Sequence, residues 1–161
     1  MVAINQGRWT AEIEGDFVVF LIGARFNRKT KLVASLKDLS STRGPAMKKM
    51  LDYLMAQPDK GLLGYEQFGM LTVQYWRSFD HLERFAKNAE DPHLEPWRTY
   101  WKRVGKADRT GIWHETYLVR AGQYEAVYGN MPTIGLAKAS AAVPVAESVQ
   151  ARQRLKAGAS S

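Results

Sequence analysis

Phe17-Val-Val-Phe-Leu-Ile-Gly-Ala-Arg-Phe26 is β-branched and aromatic almost throughout and too short for a typical buried helix. It reads as a central strand with Arg25 near its C-terminal end. Both faces are apolar, with Val18, Phe20 and Ile22 on one and Phe17, Val19 and Leu21 on the other. Such a strand needs cover on two sides.

Downstream, residues 27–44 are polar and mixed until Gly44-Pro45 punctuates them. Met47, Met50, Leu51 and Leu54 then fall at i, i+3, i+4 and i+7, which predicts a helix that begins near Pro45 and ends before Pro58. Leu62–Phe68 and Met70–Trp76 read as two strands close enough for a hairpin, separated by Gly69. Asp80-His-Leu-Glu83 has capping-box spacing ahead of Leu82, Phe85, Ala86 and Ala89. Pro92 and Pro96 break this helix and start another, striped by Trp97, Tyr100, Trp101 and Val104. Ile112–Val119 and Gln123–Tyr128 are the last strands, and Asn130-Met-Pro132 is a turn. The order is that of an α+β, ferredoxin-like βαββαβ unit whose antiparallel sheet carries helices on one face. A homodimer, with two sheets packed face to face around a cavity, is the simplest cover for the other face. We expect one domain over residues 1–138 and a basic, Ala/Ser-rich tail over 139–161.

The 161 residues are enough to bury a core without staples. The absence of Cys excludes disulfides, thiolate metal sites, iron–sulfur clusters and Cys nucleophiles. The longest apolar run, Phe17–Ile22, is far short of the roughly 20 residues of a membrane span. The first residues lack a charged region leading into an apolar one. The expectation is a soluble cytoplasmic protein without a membrane partner. The net charge of +7 is scattered over residues 28–49, 98–109 and 152–156, with no run of five basic residues. That pattern suits solvated faces, and a nucleic-acid partner is not expected.

Gly111-Ile-Trp-His-Glu-Thr-Tyr117 carries the chemistry. Alternation puts Ile112, His114, Thr116 and Leu118 on one face and Trp113, Glu115 and Tyr117 on the other. A histidine inside an apolar strand is costly to bury unless hydrogen-bonded, and the pKa of an imidazole is easily moved across neutrality. His114 could be a general base, a hydrogen-bond donor or a haem ligand; the plainer alternative is a satisfied core residue. His93 lies between two prolines and suits a loop, and His81, beside Asp80 and Glu83, suits an exposed first turn. The three histidines lack metal-ligand spacing, so no metal is expected. Arg25, Gln74 and Trp76 are polar or amphipathic groups on apolar strands, as a small-molecule site requires. A carboxylate of Glu66, Glu115 or Glu125 could instead pair with Arg25.

With Val18–Arg25, Tyr75-Trp-Arg-Ser78, Pro92-His-Leu-Glu-Pro-Trp97, Gly111–Tyr117 and Tyr124–Pro132, the sequence resembles the small monooxygenase-like proteins of the dimeric α+β-barrel superfamily. The resemblance spans most of residues 15–138. It implies the fold and a homodimer, and carries His114 over as the catalytic or cofactor-ligating position. Arg25, Trp76, Glu115 and Asn130 fall in the matching stretches as substrate-binding candidates. Three functions follow. The first is a monooxygenase-like oxidoreductase acting on a small hydrophobic or aromatic molecule, with no cofactor. The second is haem binding through His114 or His93. The third is a non-catalytic, ligand-binding dimer.

Overall fold

The computed structural model describes residues 2–39, 45–92, 94–105, 107–145 and 150–158. Its main sheet contains β2 (Phe17–Phe26), β3 (Leu62–Phe68), β4 (Leu71–Trp76) and β5 (Thr110–Val119), following an N-terminal strand, β1 (Asn5–Glu12). The order across this sheet is β3-β4-β2-β5, antiparallel throughout. The first strand of the βαββαβ unit thus lies between the third and the fourth, which is the ferredoxin-like arrangement, and the class is α+β as expected. β2 is central and pairs with β5 along its whole length, from Phe17 opposite Val119 to Phe26 opposite Thr110.

Helices cover one face in two separate groups. The first is α2 (Pro45–Met55) with α3 (Phe79–Lys87). Met50, Leu51 and Leu54 of α2 and Leu82 and Phe85 of α3 bury against Val18, Leu62 and Trp76, with Phe20 and Tyr65 at the margin. The second is α1 (Leu32–Leu39) with α4 (Leu94–Val104). Leu39, Tyr100 and Val104 close over Ala24, Phe26 and Ile112. The spacing of Met47, Met50, Leu51 and Leu54 therefore predicted the right helix and the right face. At the start of α3, the cap is Ser78 rather than Asp80: its extended backbone lets its Oγ accept the His81 N–H at 3.3 Å.

Several features were not anticipated. α1 was not read as a helix, because its apolar residues do not form the inward stripe: Ser35, Asp38 and Leu39 are the buried ones. β1 is too polar to read as a strand, yet it pairs on both edges, with β6 (Tyr128–Met131) and β7 (Ala141–Pro144). β6 falls where a turn was expected. Asn130 adopts φ +50° there, and its Oδ1 accepts the Gly7 N–H at 2.9 Å beside an irregularity in the β1–β6 ladder. Regular pairing begins at Tyr128, so Gln123–Val127 are not a strand. β7 lies in the segment read as a tail. Two short helices, α5 (Leu136–Ala139) and α6 (Ala151–Gly158), complete the described chain.

This second sheet changes the account of the other face of β2. Phe17, Val19, Tyr75 and Val119 are packed under Ala11, Leu136 and Ala137 of the same chain, with Tyr124 and Tyr128 beside them. The chain thus covers part of the face itself and leaves the remainder open. There Trp113 and Tyr117 stay 41% and 51% exposed. Among the described residues, no helix is long and apolar enough to cross a membrane.

Candidate functional site

The two helical groups part over the middle of the sheet. Phe20 belongs to the first and Ala24 to the second, while Ile22, between them on the same face, belongs to neither. His114 lies directly opposite Ile22 on β5, and Thr72 opposite it on β4. Alternation along β5 turns the imidazole to this helix-facing side, as expected. The side chain is exposed, and its ring lies 5.5 Å from that of Phe20, centroid to centroid, tilted by 38°. His114 is therefore not a satisfied core residue: it is an accessible proton donor and acceptor on an apolar floor, flanked by Phe20, Ile22 and Thr116.

Gln74 and Trp76 share this face but lie inside the protein. Trp76 is wholly buried against Phe85, ring centroids 5.7 Å apart, and its Nε1 donates to Gln74 Oε1 at 2.9 Å. Trp76 cannot touch a ligand in this packing, and its expected contact with substrate is replaced by a core role. Arg25 and Glu115 stand on the opposite face of the sheet, by the parity of the β2–β5 register. Arg25 is exposed, and none of its three expected partners takes it. Glu66 accepts the Gly135 N–H and pairs with Lys138, both at 3.2 Å; Glu115 accepts from Tyr117 Oη at 2.6 Å; Glu125 pairs with Arg154. That hydrogen bond to Glu115 holds the Tyr117 phenol above its ordinary pKa. Asn130 is on the second sheet, engaged with Gly7. The structure thus brings only His114, Gln74 and Trp76 to one face, and His93 lies outside the described residues.

His81 is half-buried rather than exposed. Its ring packs over Gly61, where an added Cβ would lie 2.5 Å from it, and Nδ1 is 2.7 Å from Ser78 Oγ. Burial, with Arg84 and Arg77 nearby, lowers its pKa. Beside it is a cleft lined by Asp59, Lys60, Arg84, Phe85, Asn88 and Asp91. The Asp91 carboxylate is buried and accepts from Tyr53 Oη and Lys60 Nζ, both at 2.6 Å, and from Asn88 Nδ2 at 3.1 Å. Burial alone would raise its pKa, but the bonds from Lys60 and Tyr53 outweigh that and lower it. Sequence reasoning missed this cluster, since its members come from three separate segments with no common motif. Phe20 and Ile22 were likewise not singled out as site residues; strand register alone places them beside His114, whereas alternation along β5 already puts Thr116 on its face. Tyr75, under the second sheet, is pushed up to about 12 by burial, with Tyr128 and Glu66 adding to it, and stays protonated. Among the described residues, no group of three or more His, Asp or Glu is placed to hold a metal ion.

Comparison with known proteins places this geometry in context. The chain is 27% identical to a protein described as monooxygenase af470 from Aspergillus fumigatus, over 86% of this chain and 56% of that protein. It therefore spans little more than half of that relative's length. Among solved structures, similarity extends to a dimeric protein of ferredoxin-like fold from Bacteroides fragilis, 10% identical, covering 63% of this chain and 96% of that one, with a TM-score of 0.38. A dimeric ferredoxin-like protein from an uncultured marine organism is 15% identical, covering 66% and 96%, with a TM-score of 0.37. The family model for monooxygenase af470-like proteins matches residues 17–136, from the start of β2 to the start of α5, and so takes in the whole sheet that carries His114. The chain belongs to the monooxygenase af470-like family.

Proposed function

We propose that the protein is a monooxygenase-like oxidoreductase acting on a small hydrophobic or aromatic molecule held on the helix-facing side of the main sheet. One observation carries the reading: the exposed imidazole of His114 stands on an apolar floor where the two helical groups part. Phe20 supplies an aromatic edge for a ring-bearing substrate, 5.5 Å from the imidazole. His114 takes a proton from a weakly acidic C–H or O–H of the substrate, or donates a hydrogen bond to the anion that results. A substrate methylene between two activating groups then serves as its own reductant. One oxygen atom of O2 enters as the carbonyl, the other leaves as water with the two hydrogens, and no external electron donor is required. Arg25 plays no part within one chain, because it lies on the far side of the sheet.

The test is oxygen transfer to a panel of small phenolic and diaryl-methylene compounds under ¹⁸O2, followed by mass spectrometry. One labelled oxygen per product molecule is expected, and His114→Ala should slow its formation by about 10²-fold or more. Tight binding with no labelled product would overturn the enzymatic reading in favour of a ligand-binding protein. A Soret band that appears with added hemin and disappears in His114→Ala would replace it with haem binding.

We also propose a homodimer in which a second copy covers Trp113 and Tyr117 on the open part of the other face. Their exposure supports it. Light scattering should give twice the chain mass, and Trp113→Glu with Tyr117→Glu should shift it towards the monomer.

A further inference from the structure

α1 is assembled inside out. Besides the buried Leu39, the helix packs on the molecule through polar groups: the Asp38 carboxylate receives a bidentate pair from Arg109, Nε at 2.5 Å and Nη2 at 2.9 Å, and Ser35 Oγ donates to the Arg109 carbonyl at 3.4 Å. Arg103 Nη1 donates to the Lys37 carbonyl at its C-terminal end, at 3.1 Å. Leu32, Val33 and Leu36 are left 47%, 83% and 54% exposed, on an arc of about 100°. Three aliphatic side chains side by side on the outer face of a helix whose Ser35 and Asp38 are turned inward call for a partner.

The charge around them says which. Residues 28–39 and 94–109 carry nine basic against three acidic side chains, and so hold six of the chain's seven net positive charges. The two segments are far apart in sequence and adjoin through α1 and α4. Lys31 and Lys37 are exposed on the α1 side, Arg98, Lys102 and Arg103 on the α4 side. A second copy docked symmetrically through this region would set like charges against each other. A nucleic acid would meet the cations but would have no use for an aliphatic stripe. Aliphatic side chains inserted at the headgroup boundary, with basic residues around them, are the features of a helix that lies on an anionic bilayer.

We infer that α1, together with the basic surface it shares with α4, docks the protein on an anionic membrane surface. The docking is peripheral, with no span, and is independent of the chemistry at His114.

Co-sedimentation of the full chain with vesicles tests this, using phosphatidylcholine alone and phosphatidylcholine with 30% phosphatidylserine as a working composition, on the order of a cytoplasmic leaflet. The protein should pellet with the anionic vesicles and stay in solution with the neutral ones. Val33→Glu with Leu36→Glu should weaken that binding by about tenfold or more. Both side chains are exposed, so the variant should keep its circular dichroism and melting temperature. Lys31→Glu with Lys102→Glu should weaken it too, and reduce its dependence on salt. Equal binding by the double-Glu variant of the stripe, or no binding to anionic vesicles, would overturn the inference. So would duplex DNA that binds as tightly and is indifferent to the stripe variant, which would assign the surface to nucleic acid. A change of solution mass in the stripe variant without any change in vesicle binding would assign it to a second copy.

Discussion

The rings of Phe20 and His114 lie 5.5 Å apart on neighbouring strands, with the aromatic residue at the edge of one core group and the imidazole outside both. Phe20 is directly opposite Thr116 and His114 opposite Ile22, so the two rings meet on the diagonal of an antiparallel pair. That diagonal sets the two apart: Phe20 belongs to the core and, in the proposed function, also meets a substrate's ring, while His114 contributes little to stability. His114→Ala should therefore lower turnover by about 10²-fold or more, the usual contribution of a general base. Its melting temperature should stay within about 2 °C of the parent, because an exposed side chain costs little to remove. Calorimetry run beside the ¹⁸O assay checks both parts.

Gly23 and Trp113 form a second cross-strand relationship, on the opposite face. A Cβ at Gly23 would lie 2.6 Å from the indole, closer than such contacts occur. Gly23→Ala should destabilise the fold by about 1–3 kcal/mol, the cost of overpacking. Trp113→Ala in the same chain should restore most of that, since the half-exposed indole is the group that must move. A double-mutant cycle in urea gives the coupling directly.

Asp91 ties together the turn after α2, α2 itself and the end of α3. Asp91→Ala leaves Tyr53, Lys60 and Asn88 without their acceptor and should cost about 2–3 kcal/mol. That is less than breaking a fully buried pair, because Lys60 keeps contact with water. Its lowered pKa means that the unfolded chain takes up the proton first as pH falls. The contribution is complete above the ordinary aspartate value of 3.8 and is lost as pH falls through the folded value. Asp91→Asn should flatten the stability curve in that acid range, as read by urea midpoints.

His81 acts with the same sign at higher pH. Burial holds its folded pKa below 6.5, so the unfolded chain binds the proton more readily. Stability should be full above pH 6.5 and decline as pH falls from there through the folded value. His81→Gln should remove that decline. Gly61→Ala should be destabilising at any pH, because the residue has φ +86° and the His81 ring occupies the space of a Cβ.

Periodicity made much of this legible in the sequence. The β2 pattern, with two apolar faces, determined a central strand; the Met47–Leu54 stripe determined α2 and its inward side; alternation in Gly111–Tyr117 determined that His114 and Glu115 face opposite ways. These are local matters, governed by the two-residue repeat of a strand and the 3.6-residue repeat of a helix, and they survive without knowledge of neighbours. Where local pattern and tertiary pairing disagreed, pairing prevailed. β1 is polar yet satisfies its backbone through two partner strands, and α1 buries Asp38 because Arg109, some 70 residues away, meets its carboxylate.

Only the tertiary structure decided which polar residues share a site. Strand register took Arg25 away from His114, and core packing removed Trp76 from any ligand. Chain crossover likewise brought residues 28–39 against 94–109, turning two unremarkable basic scatters into one surface. Spacing along a chain encodes which face a residue takes. Which faces meet depends on long-range pairing, whose energy is a sum over many weak contacts that no single segment contains.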